Sequence, residues 1–130
     1  MDAETAARRW AQTWARAWPR GDSEAIAALY ADTAVYRSSA FRPPFCDLAG
    51  IRDYLGENLA AEESLRCWYG PPVVDGDRAA VEWWACWREQ GQELTFAGVT
   101  MLRFDQRGQV IDHRDYDHHV ERRERPYQGW

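Results

Sequence analysis

In "WAQTWARAW", Trp10, Trp14 and Trp18 recur every fourth residue, one stripe along a helix that Ala3, Ala6, Ala7, Ala11 and Ala15 support. Pro19 and Gly21 end it. Asp22 or Ser23 then caps a second predicted helix, "SEAIAALYA", by accepting the free amides of its first turn. "TAVYRSS" is β-branched and aromatic enough for a short strand, and "RPPF" is irregular because proline lacks the donor a ladder needs. "AGIRDYLGENLAAEE" predicts a third helix, with Ile51, Tyr54, Leu55 and Leu59 at helical spacing.

Beyond that helix the period changes to two. Turn signals at Asp75-Gly76, Gln90-Gly91 and Arg107-Gly108 divide the remainder into strands joined by hairpins, which predicts an antiparallel sheet. Val81, Trp83, Ala85 and Trp87 share a face, and so do Thr100, Leu102 and Phe104. Helices followed by a long sheet make the fold class α+β, with the helices packed on one face.

Length allows one domain over residues 1–130, the last ten forming a polar, solvated tail. The net charge of −5 argues against a nucleic-acid surface, since Glu121 and Glu124 interrupt the basic run Arg122, Arg123, Arg125. Cys46, Cys67 and Cys86 are odd in number and widely spaced, so reduced, buried, inert thiols and a cytoplasmic location are expected. No apolar run has the length of a membrane span or the character of a signal peptide, and no membrane association is expected.

The last strand, "VIDHRDYDHHV", carries the chemistry. Alternation puts His113, Asp115 and Asp117 on one face and Asp112, Arg114 and Tyr116 on the other. A neutral imidazole accepts a proton near neutral pH, and a carboxylate two residues along lies roughly 7 Å away, near enough to orient it or share a water. Asp115 reads equally as scaffolding paired with Arg37 or Arg42. Asp117 lies near the strand end, where solvation accounts for it. His113, Asp115, Asp117 and His119 alternate as metal ligands would, but an extended strand spreads them over roughly 13–20 Å, so no metal is expected.

"RGDSEAIAALYADTAVYRS", "LAGIRDYL" and "GVTMLRFDQRGQVIDHRDY" together resemble the nuclear transport factor 2-like superfamily and, within it, SnoaL-like proteins. The resemblance spans nearly the whole chain. It implies a cone: a curved antiparallel sheet closing as an α+β barrel of the cystatin-like kind, wrapped by three helices around an apolar pocket. Ketosteroid isomerase, a relative, uses an Asp base with a Tyr and a protonated Asp as oxyanion donors. On this chain those positions fall on Ser38, Trp14 and Thr100, so isomerisation by that mechanism is disfavoured.

These readings lead to a cofactor-free enzyme of proton transfer (isomerisation, cyclisation or dehydration) acting on a hydrophobic carbonyl-bearing or cyclic metabolite. His113 is the expected general acid or base and Asp115 its partner, with Trp14, Ser38 and Thr100 as donors to substrate oxygen. Trp83, Trp87, Tyr54 and Asp117 complete the expected binding surface, and Tyr30, Tyr36 and Trp68 are further wall candidates. Trp84 falls on the outer sheet face, where a homodimer contact is expected. A non-catalytic binding module and a dimeric assembly protein remain as alternatives.

Overall fold

A computed structural model describes all residues from Met1 to Trp130. Helix α1 (Ala3–Ala17) starts at Asp2, whose carboxylate accepts the Thr5 amide at 2.8 Å, and buries Ala6, Ala7, Trp10, Trp14 and Ala17. A single 3₁₀ turn, Trp18–Arg20, follows, closed by Gly21 at φ 66°. Helix α2 is shorter than its pattern, Ser23–Ala27, because Tyr30 already belongs to strand β1 (Tyr30–Arg37). After the two-residue β2 (Phe45–Cys46) comes α3 (Asp47–Ala61), which buries Ile51, Leu55 and Leu59. Each buried indole of α1 removes roughly 150–250 Å² from water, a gross gain of about 4–6 kcal/mol.

The rest is strand: β3 (Glu63–Tyr69), β4 (Val73–Asp75), β5 (Arg78–Glu89), β6 (Gln92–Phe104) and β7 (Val110–Val120). Strands β5 and β6 join through Gln90 and Gly91, both at positive φ (51° and 79°), the backbone a two-residue type I′ hairpin demands. The spatial order is β2-β1-β7-β6-β5-β3, with β4 also on β5.

Two expectations about the sheet need correction. The barrel does not close: β2 and β3 are free edges at opposite ends of the order, so the fold is α+β with an open seven-stranded sheet. The edges suit an open sheet, since β2 is two residues long after Pro43-Pro44 and the edge at β3 is broken by Pro71-Pro72. Nor is the sheet wholly antiparallel, for β1 pairs with β7 in parallel, Tyr36 opposite His113.

The C-terminal residues are mostly exposed, and some of them also make contacts with the sheet. The Thr95 hydroxyl donates to the Arg122 carbonyl (2.7 Å) and accepts the Glu124 amide (2.8 Å), while Arg123 reaches Glu93, the Ser64 carbonyl and Cys86. Tyr127 then meets the Trp84 ring edge-on at 5.8 Å, so this chain itself covers part of the outer face. Of the three free thiols, Cys86 is buried but Cys46 is exposed, because β2 lies at the edge. No helix is long and apolar enough to cross a membrane.

Candidate functional site

Between α1, α3 and the inner sheet face lies a cavity of about 510 Å³. Its wall includes Trp14, Ser38, Tyr54, Trp83, Trp87, Thr100, His113, Asp115 and Asp117. The β6–β7 ladder runs without a shift from Arg103↔Asp112 to Thr95↔Val120, which keeps His113, Asp115, Asp117 and His119 on this one face. Gly98 stands opposite Asp117, where a Cβ would lie 2.6 Å from the Asp117 Cβ, so glycine is what lets the two strands approach there.

His113 sits deep, 1 % exposed, its ring stacked on Tyr36 at 3.7 Å. Both of its nitrogens are engaged. The Trp10 indole donates to the Tyr30 hydroxyl (3.1 Å), and that hydroxyl lies 2.8 Å from Nδ1 of His113. An indole N–H can only donate, so the phenol's own proton goes to Nδ1; the ring proton then sits on Nε2, which donates to Oδ1 of Asp115 at 2.8 Å. Burial pushes the Tyr30 phenol far above its ordinary range and keeps that proton in place.

The other side is built alike. The Trp83 indole donates to the Thr100 hydroxyl (2.9 Å), which donates to the same Asp115 Oδ1 (2.6 Å). Two relays, each starting at an indole, therefore converge on one carboxylate oxygen. Oδ2 of Asp115 takes no hydrogen bond, and the side chain is 14 % exposed on the cavity wall. Asp115 is not held by an arginine: Arg37 pairs with Asp112 at 3.7 Å, and Arg42 stands on the wall without an ion pair. Asp117, nearer the mouth, has its carboxyl raised to about 6 by burial and by the charge of Asp115.

Tyr36, one of the further wall candidates, lines the cavity, 3 % exposed, with its hydroxyl unbonded and burial holding it protonated. Two other wall residues escape the sequence reading. Glu62, just past α3, accepts the Trp18 indole at 2.8 Å, and Glu89 accepts the Trp87 indole at 3.1 Å. A pair of glutamates at a helix end reads as solvated surface, so nothing local marks Glu62. Of the other wall candidates, Tyr30 lies behind His113, and Trp68, cross-strand from Trp84, faces outward under the Arg66 guanidinium. No group of three His, Cys, Asp or Glu side chains is gathered to hold a metal ion.

Burial and the nearby Glu89 raise the Glu62 carboxyl to about 7 from its ordinary 4.5. A folded-state value above the unfolded one means a penalty that is absent near pH 4, grows through the interval and is complete above about 7. Glu62→Gln, whose amide oxygen still accepts from Trp18, is therefore expected to stabilise the fold at about pH 8 by on the order of 2–3 kcal/mol and to do nothing at about pH 4. Melting curves at the two pH values check this; equal shifts at both would rule it out.

The family described as SnoaL-like domain matches residues 8–113. Two solved structures are similar. One is SalBIII, an epoxide hydrolase/cyclase-like enzyme with a role in pyran ring formation in the polyether salinomycin (TM-score 0.75, 18 % identity, covering 88 % of this chain and 91 % of that one). The other is a hypothetical protein with a ketosteroid isomerase-like fold from Catenulispora acidiphila, in complex with trimethylamine (TM-score 0.71, 20 % identity, 81 % and 82 % covered). A comparison with curated proteins gives no match.

Proposed function

The chain belongs to the SnoaL-like domain family, and from that membership we propose that it is an enzyme of proton transfer acting on a hydrophobic cyclic or carbonyl-bearing metabolite. The observation that carries the reading is the convergence of both relays on Oδ1 of Asp115, which leaves Oδ2 unbonded at the cavity. Asp115 is the proton acceptor. His113, with both nitrogens occupied and almost no exposure, is a positioning residue. This reverses the roles expected for the two from sequence.

In this reading Asp115 removes a proton beside a substrate carbonyl, and the unbonded Tyr36 hydroxyl donates to the oxygen that gains charge. Asp117 returns a proton elsewhere on the substrate, its raised carboxyl making it the acid of the pair. The same groups serve isomerisation, cyclisation or dehydration, according to where the returned proton goes: onto carbon in isomerisation, onto a departing hydroxyl that leaves as water in dehydration, or onto the atom left negative by ring closure in cyclisation. Likeness to a cyclase-like enzyme of pyran ring formation agrees with cyclisation.

The test is deuterium incorporation from heavy water into a panel of cyclic ketones, read by mass spectrometry. Wild-type protein is expected to catalyse exchange; saturable binding without exchange on any ketone would leave a binding module instead. Exchange itself needs only Asp115, whereas full turnover also needs the proton that Asp117 returns, so the turnover rate should fall about tenfold per pH unit above the Asp117 value of about 6. In Asp117→Asn that alkaline fall should disappear. Its persistence would remove Asp117 from the acid role.

A further inference from the structure

The reactive end of the cavity is only part of its wall. The part formed by Trp18, Glu62, Trp87 and Glu89 has no role in the proton transfer proposed above. Trp18 packs against Trp14, Trp83 and Trp87 with ring centroids 5.2, 5.9 and 5.9 Å away, and Trp87 stacks on Phe96 at 4.7 Å. Trp18 and Trp87 each spend their N–H on a carboxylate. Negative charge at the N–H edge makes an indole face more attractive to a cation, and such faces are the surfaces that bind ammonium groups.

Charge on the wall points the same way. Glu62, Glu89, Asp115 and Asp117 all line the cavity, against one arginine, Arg42, and none of the four is paired with an arginine. Arg88, next to Glu89, is turned to Glu93 and Ser64 instead. A purely apolar guest gains nothing from Glu62 and Glu89, and an anionic one meets four carboxylates. A separate feature is an unused donor: the hydroxyl of Tyr36, on a side chain 3 % exposed, faces the same cavity with no partner in the protein.

We propose that the substrate class is a hydrophobic cyclic amine, its protonated nitrogen held against Trp18 and Trp87 by Glu62 and Glu89 and its oxygen acceptor directed to Tyr36. The proposal rests on the proton-transfer reading, since it orients the reacting part of the molecule toward Asp115. It concerns ligand class, however, and is tested by binding alone.

Three probes of one shape and three charges decide it: adamantylamine, adamantanol and adamantane carboxylate, titrated by tryptophan fluorescence at about pH 8, where a carboxyl raised to about 7 is ionised. The amine is expected to bind at least about tenfold more tightly than the alcohol, with no saturable response to the carboxylate. In Glu62→Gln/Glu89→Gln the gap between amine and alcohol should shrink to less than about threefold, with alcohol affinity unchanged. Alcohol or carboxylate binding as tightly as the amine, or no binding of any probe, overturns the proposal. If the double variant fails to fold, the wild-type ranking decides. None of the probes has an exchangeable C–H beside a carbonyl, so this result and deuterium incorporation fail separately. Exchange on ketones without amine preference would sink the ligand class and leave the chemistry standing.

Discussion

Asp115→Asn is expected to lower deuterium exchange by about 100- to 10,000-fold, the range a positioned general base supplies. The substitution is mild in every other respect. The amide oxygen still accepts from Nε2 of His113 and from the Thr100 hydroxyl, so both relays keep their endpoint. What changes is Oδ2, the atom that faces the cavity and has no bond to lose. The melting temperature should therefore stay within a few degrees of wild type. Should the variant unfold while its residual exchange per folded molecule remains normal, the carboxylate is scaffolding and the proposed chemistry is lost. His113→Asn would not make the same point, because the ring is buried and its loss damages the core directly.

Tyr30→Phe is expected to cost about 2–5 kcal/mol of stability for the loss of a single oxygen atom, because removing it strands two buried groups. The Trp10 indole loses its only acceptor, and Nδ1 of His113 loses the proton that fixes its tautomer. Denaturant unfolding measures the difference directly, and a fall in melting temperature of roughly 10 °C or more should accompany it. Tyr36→Phe is the control. Its hydroxyl has no partner in the protein, so stability should change by less than about 0.5 kcal/mol while exchange falls. Equal destabilisation by the two changes would mean that the loss comes from packing and not from the relay.

Much of the wall was legible because strands alternate. Once the hairpin turns divide the C-terminal half, period two alone puts Trp83 and Trp87, Thr100, and His113, Asp115 and Asp117 on one face, and the structure has them lining one cavity. The hydrogen-bond network that occupies both nitrogens of His113 and leaves Oδ2 of Asp115 unbonded was not legible. It depends on Trp10 and Tyr30, which close over the ring from α1 and β1 and are distant in sequence. Glu62 and Glu89 were invisible for a similar reason: their meeting is a product of the β3–β5 pairing, which sets Glu63 opposite Arg88. Sheet closure was misjudged because it is decided by whether the two outermost strands can bond, and the edges here are too short or too interrupted to do so. The last ten residues look solvated because their charges are dense, and most are exposed, but Arg123 reaches Glu93 and the Ser64 carbonyl, which no local pattern marks.

The parallel pairing of β1 with β7 also governs when this site comes into being. Tyr36 and His113 touch across 77 positions of sequence, and bringing such distant segments together must be paid in chain entropy before any contact repays it. The hairpin β5–β6 closes locally and early. During vectorial synthesis the indole-lined half of the wall can already stand while the strand bearing Asp115 is still inside the ribosome. The cavity is thus expected to acquire Asp115 and Asp117 last, so that a nascent or truncated chain lacking β7 presents sticky aromatic surface without the pair proposed to move the proton.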